Sequence, residues 1–483
     1  MVDWNLEPDD LKHYPHFDAD IDVVEAMSLV TDPNRVAANP FYPFIKYDKS
    51  WQPFRSRDQR PEETRIQKHK PDKKSREIRY AARKDAYIFS YYRYILSVKY
   101  ENLLIEEGLS ECPIAYRRIL KGVGQLGGKC NIDFAKDVFD TIDALQNCCF
   151  IALDISKCFE SLDHGRLENL WCGLLGVEKL PVDHEKVFNA ITKYSFVHRQ
   201  QLYERLGYFG PKLKGGKIVE GYLRGFKDIP KKLCSNPEFR QKVAGGDKML
   251  PSIIQFNSND FGVPQGAPIS DLLANLYLLE FDKFSKKIAD RLGGIYRRYS
   301  DDILFVVPVS SNEAIDIEHQ IIAEISKYGS RIQIKSEKTS IVRFFNDRNT
   351  LEFEHLKGRQ GKNGAEYLGF RFDGRNVFIR DATISGLFRK MAGSVKSHCY
   401  GLRSRYPGKD RAYLKKHLGI NHFMEKFGRV SDFGLDDAHD VCDWTFWTYA
   451  RKSAEVFGSR GLPIYKQLRN CQKFVTRRMI EEL

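Results

Sequence analysis

The stretch from Ile295 to Val309 reads IYRRYSDDILFVVPV and places two adjacent aspartates between two short apolar runs. Runs of this kind are typical of β-strands, and two of them joined by a short polar link predict a hairpin. Asp301 and Asp302 would lie at its tip. Adjacent carboxylates raise each other's pKa unless a cation neutralises them. The stretch therefore predicts a hairpin that holds a divalent cation.

A third acid ends another apolar run. The segment CCFIALDIS, from Cys148 to Ser156, predicts a buried strand, and Asp154 emerges where this strand reaches the rim of the sheet. Buried strands rarely end in an acid that has no partner. Three carboxylates from neighbouring strands supply the oxygen ligands that Mg²⁺ requires, and two such ions about 4 Å apart support in-line nucleotidyl transfer. Taken singly, each acid is more often a turn or cap residue.

Bulk composition limits the class of protein. The chain has 483 residues, 42% of them hydrophobic, and a net charge of +13, which predict several folded units and a polyanionic partner. The ten cysteines show no zinc-ligand spacing and are interpreted as buried thiols in a reducing compartment. No apolar run is long enough to span a membrane, and the first residues do not resemble a signal peptide, so we expect a cytoplasmic protein.

Local patterns divide the chain further. The N-terminal segment to about residue 61 is rich in Pro and aromatic residues and predicts an irregular arm, and the basic stretch 65–84 predicts a ribbon that turns at Pro71-Asp72. Helical periodicity covers residues 85–107 and 270–289, with Ser270 as a candidate cap. Residues 207–250 are rich in Gly and Lys and predict an insertion or a flexible ribbon. From about residue 381 the pattern is helical and basic.

In their order along the chain, these segments resemble the motifs of reverse transcriptases of the group II intron, retron and bacterial defence-associated branch. FIALDISKCFESLDHGRL resembles the first palm motif, FGVPQGAPISDLLANLYL the Pro-Gln-Gly motif, and YRRYSDDILFV the Tyr-x-Asp-Asp hairpin. SEKTSIV resembles the fourth palm motif, YLGFRF the primer grip, KPDKKSREI the basic fingers hairpin, and IAYRRI a further fingers segment. The matches span roughly residues 70–372, and the layout is most like that of antiphage, abortive-infection enzymes.

The resemblance implies an α+β right-hand polymerase, in which fingers and a palm of antiparallel sheet and helices precede an α-helical thumb. It places an aromatic arm at 1–61, the fingers at 62–147, the palm at 148–372 with the insertion at about 207–250, and the thumb at 373–483.

The resemblance also implies the roles of individual residues. Asp154, Asp301 and Asp302 would hold Mg²⁺, or Mn²⁺ as an alternative, and Ile155 would add its backbone carbonyl. Phe159 stands where an aromatic ring excludes a ribose 2′-hydroxyl and so favours deoxynucleotides. The remaining nucleotide contacts would come from Lys70, Arg76, Gln265, Gly266 and Lys338, and the primer grip from Leu368 and Gly369.

Three of these residues have a specific expected task. Arg76 and Lys70 would meet the triphosphate, and Lys338 would neutralise or protonate the pyrophosphate leaving group. Each residue also has a purely structural interpretation. Arg76 and Lys70 could belong to a solvated basic loop, and Lys338 could be a surface lysine at the start of a strand. The ordinary reading of Phe159 is a core aromatic.

Two positions depart from the family pattern. Ser300 stands where Ala, Val or Cys is commoner, and Tyr116-Arg117 replaces a Gly-Phe pair, which leaves the template contact in the fingers open. The tail after residue 381 has no Cys/His set of the kind found in intron-encoded nucleases.

The sequence thus predicts an RNA-directed DNA polymerase that uses dNTPs on an associated non-coding RNA, makes a DNA product and serves bacterial antiviral defence. Alternatives are a catalytically silent palm that binds RNA, and a retron or group II intron enzyme. Phe159 disfavours an RNA polymerase. The C-terminal helices allow a homo-oligomer, and no membrane partner is expected.

Overall fold

The computed structural model of the chain describes residues 4–51, 74–122, 127–246, 250–358, 364–427 and 445–483. Mostly antiparallel sheets form the middle of the chain, and helices dominate its C-terminal part. The expected α+β class is confirmed at this level, while the division into fingers, palm and thumb stays a prediction.

The strands, in chain order, are β1 (Phe44–Trp51), β2 (Lys74–Tyr80), β3 (Cys148–Ser156), β4 (Ser195–His198), β5 (Phe209–Lys214), β6 (Lys217–Tyr222), β7 (Gln255–Phe256), β8 (Ile295–Tyr299), β9 (Asp302–Val307), β10 (Gln333–Ile334), β11 (Ser340–Asp347), β12 (Thr350–Lys357), β13 (Ala365–Tyr367), β14 (Phe370–Phe372) and β15 (Val377–Ile379).

The helices are α1 (Val23–Val30), α2 (Pro33–Ala38), α3 (Arg83–Glu106), α4 (Asn131–Leu145), α5 (His164–Leu175), α6 (Val182–Thr192), α7 (Arg199–Arg205), α8 (Asn236–Glu238), α9 (Ser270–Tyr277), α10 (Leu279–Arg291), α11 (Ser311–Ile325), α12 (Asp381–Arg405), α13 (Arg411–Lys416), α14 (Ile420–Glu425), α15 (Phe446–Phe457), α16 (Leu462–Leu468) and α17 (Cys471–Glu482).

The largest sheet has the strand order β12-β11-β3-β9-β8, and β10 pairs with the C-terminal end of β3. Every pairing in it is antiparallel. Strand β3 is central because its apolar run is buried almost without interruption, and α4 and α11 pack against it. The expected hairpin is confirmed, since β8 and β9 pair with Tyr299 opposite Asp302.

The N-terminal segment is not the irregular arm that its composition predicted. Asp22 and Asp32 accept hydrogen bonds from the first turns of α1 and α2, so each of these short helices begins at an N-cap. Strand β1 then pairs with β2, so among the described residues the partner of β2 comes from the N-terminal segment. The expected turn at Pro71-Asp72 lies outside the described residues.

Strands β1 and β2 belong to a second sheet with the order β2-β1-β4-β7. In this sheet β1 runs parallel to β4, which comes from the region assigned to the palm by resemblance, and β7 comes from the same region. The sheet therefore crosses the expected boundary between fingers and palm. Parallel pairing between distant segments carries no local signal in a sequence.

The helix expected over 270–289 is two helices, α9 and α10, which meet at Leu278. Ser270 is the first helical residue and not the N-cap. Its hydroxyl donates to the Pro264 carbonyl oxygen at 2.9 Å, so it fixes the preceding turn to the helix.

Residues 207–250 contain a ribbon and a packed part. The ribbon is the hairpin of β5 and β6, which pairs with no other strand among those described. The packed part buries Tyr208, Leu233 and Val243 against Ile45 and Val197 of the second sheet. The segment therefore helps to form the core beneath that sheet.

The C-terminal helices share one core with the outer face of the large sheet. Buried residues of α12, α15 and α17 join Phe344 and Phe372 in a single apolar cluster, and β13, β14 and β15 form a small antiparallel sheet beside them. Among the described residues, no helix is long and apolar enough to cross a membrane. The cysteines in the described ranges are unpaired thiols, and all except Cys130 are buried.

A buried ion pair fixes the N-terminal segment to α3. Arg83 and Asp18 are 1% and 2% exposed. The Arg83 Nε atom lies 3.4 Å from Asp18 Oδ1, and the same guanidinium contacts the Asp18 carbonyl oxygen and the Asp20 carboxylate. The neighbouring Lys84 makes a more exposed pair with Glu25 at 3.3 Å.

We expect Arg83→Met to lower the free energy of unfolding by about 3–5 kcal/mol, because it leaves the Asp18 carboxylate buried without its partner. Lys84→Met, one residue along the same helix, should cost no more than about 1 kcal/mol. Urea unfolding of both variants measures the difference. Equal costs would show that the buried pair does not hold the N-terminal segment in place.

Candidate active site

The strands of the large sheet bring together three acidic residues that lie far apart in the sequence. Strands β3 and β9 are neighbours, and their register sets Asp154 directly opposite Asp302. Asp301 is in the turn before β9, and its carbonyl oxygen accepts a hydrogen bond from Ile155 N at 2.9 Å. The structure therefore groups Asp154, Asp301 and Asp302, called the carboxylate trio below, at one end of the strand pair, with Ile155 beside them.

The turn that carries Asp301 has an unusual backbone. Ser300 has a φ of +59°, in the left-handed region that non-glycine residues rarely adopt. Its carbonyl oxygen accepts a hydrogen bond from Arg298 Nη1 at 3.1 Å, and its hydroxyl oxygen accepts one from the Tyr116 hydroxyl at 3.2 Å. The two hydrogen bonds therefore fix both the backbone and the side chain of the strained residue.

Arg298 is completely buried beneath this turn. Its Nε and Nη2 atoms donate to the Asp282 carboxylate at 2.7 and 2.6 Å, and Nη1 donates to Asn275 Oδ1 at 3.0 Å. Burial alone would lower the pKa of Arg298, but the Asp282 charge outweighs it and raises the pKa. Sequence reasoning missed this residue, although an arginine at an inward-facing position of an apolar strand was a usable signal.

The carboxylate trio is electrostatically strained. Desolvation by the atoms around it raises the pKa of Asp302 to about 7 although the residue keeps an exposed surface, and the charges of Asp301 and Asp154 add to the effect. Burial and the Asp154 charge likewise raise the pKa of Asp301. Arg76 acts in the opposite direction on both pKa values. A positive charge near the trio is therefore favourable.

One such charge comes from Lys338. This residue ends a short 3-10 helix just before β11, and its ammonium contacts the Asp154 carboxylate directly. Its side chain is 47% exposed, so the contact is open to solvent and screened. Lys338 was expected at the leaving group, and the structure instead pairs it with one of the expected metal ligands.

The trio provides oxygen donors but not a finished metal site. Within the described ranges, no three His, Cys, Asp or Glu side chains converge closely enough to hold a metal ion. Asp154 points its carboxylate at Lys338, which accounts for part of this. Raised pKa values and hard oxygen donors still fit Mg²⁺, because a divalent cation would relieve the repulsion that raises them.

The Pro-Gln-Gly turn joins this site to the second sheet. Gln265 accepts a hydrogen bond at its carbonyl oxygen from Arg79 N at 2.9 Å, and Gly266 has a φ of +116°. A Cβ atom on Gly266 would lie 2.7 Å from the Arg79 carbonyl oxygen. Phe159 is half-buried, and its carbonyl oxygen accepts from Val263 N at 2.8 Å, so it lies next to the same turn.

The other expected site residues lie around the trio. Arg76 projects from β2 close enough to act on Asp301 and Asp302, whereas Lys70 lies outside the described residues. Leu368 and Gly369 form the left-handed turn between β13 and β14, with φ values of +44° and +94°. Gly369 O accepts from Arg380 N at 2.9 Å. The Arg380 charge in turn opposes the rise in the pKa of Asp302.

The chain is similar to known proteins only at a distant structural level. No protein-family model matches the chain, and no curated protein matches it. Among solved structures, it is similar to apo telomerase from Candida tropicalis, with 13% identity over 85% of this chain and 67% of that chain and a TM-score of 0.36. It is also similar to telomerase from Candida albicans in complex with the TWJ fragment of telomeric RNA, with 12% identity over 84% of this chain and 60% of that chain and a TM-score of 0.36.

A truncated apo telomerase from Candida tropicalis gives 14% identity over 63% of this chain and 52% of that chain, with a TM-score of 0.35. The chain thus spans between 52% and 67% of the length of these structures. Likeness at this level is loose, and no functional conclusion follows from it.

We expect Gly266→Ala to destabilise the protein more than Gly176→Ala, by at least about 1 kcal/mol. Both glycines have a positive φ, but a Cβ on Gly176 would meet open space, whereas a Cβ on Gly266 would meet the Arg79 carbonyl oxygen. Chemical denaturation of the two variants separates steric contact from backbone strain. If Gly176→Ala costs as much, the close approach of the two segments does not depend on glycine.

Proposed function

We propose that the chain is an RNA-directed DNA polymerase, which joins deoxynucleotides by nucleotidyl transfer at the carboxylate trio. The observation that carries this proposal is the register of β3 and β9, which sets Asp154 opposite Asp302 with Asp301 in the adjoining turn. Acids gathered at one end of a strand pair repel one another, and a reaction that needs a bound cation gives a reason to keep them there.

In the proposed reaction, a primer 3′-hydroxyl attacks the α-phosphate of a dNTP, and pyrophosphate leaves. Bound Mg²⁺ would activate the hydroxyl and stabilise the charge on the leaving group. Asp154, Asp301 and Asp302 would hold the ions, with Ile155 adding its carbonyl oxygen. Lys338 contacts Asp154 in the structure. The Lys338 ammonium would neutralise or protonate the pyrophosphate leaving group, once it no longer contacts Asp154.

The remaining residues would position the nucleotide. The Arg76 charge acts to lower the pKa values of Asp301 and Asp302, and a guanidinium this close to the two acids suits a contact to the triphosphate. The turn at Gln265 and Gly266 would border the base, and Phe159 would exclude a 2′-hydroxyl. Leu368 and Gly369 would meet the primer strand on the Asp302 side. Lys70, if it contributes, does so from outside the described residues.

The proposed partners are an associated RNA, which supplies the template, and the DNA product, with bacterial antiviral defence as the biological setting. A net charge of +13 supports a polyanionic partner. A retron or group II intron enzyme stays an alternative on the same motifs. A catalytically silent protein that binds RNA is the second candidate, and the ion pair between Lys338 and Asp154 favours it, because that pair neutralises an acid without any metal.

The first test is incorporation of labelled dNTPs by the purified chain with Mg²⁺, with any co-purifying RNA retained. The unmodified protein should synthesise DNA, and Asp301→Asn should reduce the rate at least about a hundredfold, because a cation ligand is lost. Asp347→Asn, an exposed acid at the end of β11, is the matched control. Absence of synthesis across several templates and primers would favour the silent RNA-binding protein.

The sugar preference tests the role of Phe159. Phe159→Ala should lower the preference for dNTPs over rNTPs at least about tenfold, because the ring would no longer collide with a 2′-hydroxyl. Phe345→Ala removes a half-buried ring near the C-terminal end of β11, away from the Pro-Gln-Gly turn, and should leave the ratio unchanged. The ratio of kcat/KM for matched dNTP and rNTP is the measurement. An unchanged ratio in Phe159→Ala means that the ring is only a packing residue.

A further inference from the structure

A polar cavity of about 520 Å³ lies near the carboxylate trio, and none of the three acids lines it. Its walls come from β2, from the turn after β3, from the loop before the Pro-Gln-Gly turn and from the segment before β10. None of the expected site residues lines it. The cavity begins within a few residues of Asp154, since Lys157 forms part of its wall and Gln333 pairs with Ser156.

Arg79 gives this cavity a buried positive charge. The residue is 7% exposed, and its guanidinium lies over the rings of Tyr194 and Phe196, with distances of 5.5 and 5.3 Å to the ring centres. Its Nη2 atom donates to Glu77 Oε2 at 2.5 Å. Its Nε atom is buried and has no hydrogen-bond partner among the described residues. The Arg79 side chain therefore places a buried guanidinium charge in the cavity wall, which favours an anion inside the cavity.

Two further cations line the cavity. Arg331 stacks on the ring of Phe261 at 3.7 Å, which fixes the plane of its guanidinium. Lys157 has a φ of +53°, and this left-handed backbone is rare for a residue other than glycine. Strained residues of this kind cluster at binding and catalytic sites, where the strain directs a side chain. Arg79 belongs to the second sheet, whereas Lys157 and Arg331 belong to segments that flank the large sheet.

The acids of the cavity do not cancel this charge. Burial alone would raise the pKa of Glu77, but the hydrogen bond from Lys46 and the Arg79 charge outweigh it and lower the pKa. Glu77 is thus an ionised partner of two cations. Glu160 lies 4.0 Å from Lys157 and is half-exposed, so this pair is weak. Among the residues that line the cavity, three cationic side chains therefore face two carboxylates.

We propose that this cavity binds a diphosphate group. Cations on separate walls suit an anion with several acceptor oxygens and more than one negative charge, and guanidinium groups pair well with phosphate oxygens. The source would be either free pyrophosphate or the tail of a nucleotide. Identification of the source with the pyrophosphate that the polymerase releases rests on the proposed function, whereas the binding itself does not.

Binding can be measured by calorimetry on the full chain, with sodium pyrophosphate and with GDP as separate probes. The buffer contains EDTA and about 0.15 M salt, so that metal-dependent binding is removed and non-specific attraction is screened. Arg331→Gln and Lys157→Gln should each weaken binding at least tenfold. Arg291→Gln, an exposed arginine at the end of α10, is the matched control and should bind like the unmodified protein.

Three further measurements separate the binding proposal from the proposed function and identify the source of the diphosphate. Asp301→Asn should bind pyrophosphate as the unmodified protein does, so a failure of DNA synthesis would leave this result standing. Similar affinities for the two probes indicate free pyrophosphate as the source, and tighter GDP binding indicates a nucleotide. Arg79→Lys should weaken both, and Arg331→Gln serves in its place if that variant does not fold. Undetectable binding at millimolar pyrophosphate, or unchanged affinity in Arg331→Gln and Lys157→Gln, overturns the proposal.

Discussion

The buried pair of Arg298 and Asp282 is the contact on which the rest of the site depends. Both side chains are fully excluded from solvent, and they meet through two hydrogen bonds of 2.7 and 2.6 Å. A buried pair tolerates its desolvation only if nearly every donor finds an acceptor. Arg298 meets this condition through Asn275 and the Ser300 carbonyl oxygen, and so joins α9, α10 and β8 to the turn that carries Asp301.

The same network reaches Tyr116, one of the positions where the sequence departs from the motifs that it resembles. Asn275 Nδ2 donates to the Ala115 carbonyl oxygen at 3.0 Å, and the next residue, Tyr116, donates its hydroxyl to Ser300. Tyr116 has a φ of +64°, which suits the glycine more usual at that position. The unusual tyrosine and the unusual serine therefore touch each other. Each departure from the pattern supplies the partner of the other, so the turn keeps its shape without alanine or glycine.

The parts of the fold that were predictable are those set by local pattern. The hairpin of β8 and β9, the strand that ends near Asp154 and the helix α3 all follow from apolar periodicity. The pairing of β1 with β2 and β4 did not, because it depends on contacts across long stretches of chain. The two short N-terminal helices were also missed, since helices of eight and six residues are too short to show a clear apolar period.

For the candidate site, sequence order located the acids but not their immediate partners. Asp154 and Lys338 are far apart in the chain, and only the fold shows that the ammonium rests on the carboxylate. The lysine is about half-exposed, so solvent screens its charge on the trio. The contact follows from the pairing of β11 with β3, which brings the segment before β11 to the acid near the end of β3. A local apolar pattern does not encode a pairing between segments this far apart in the sequence.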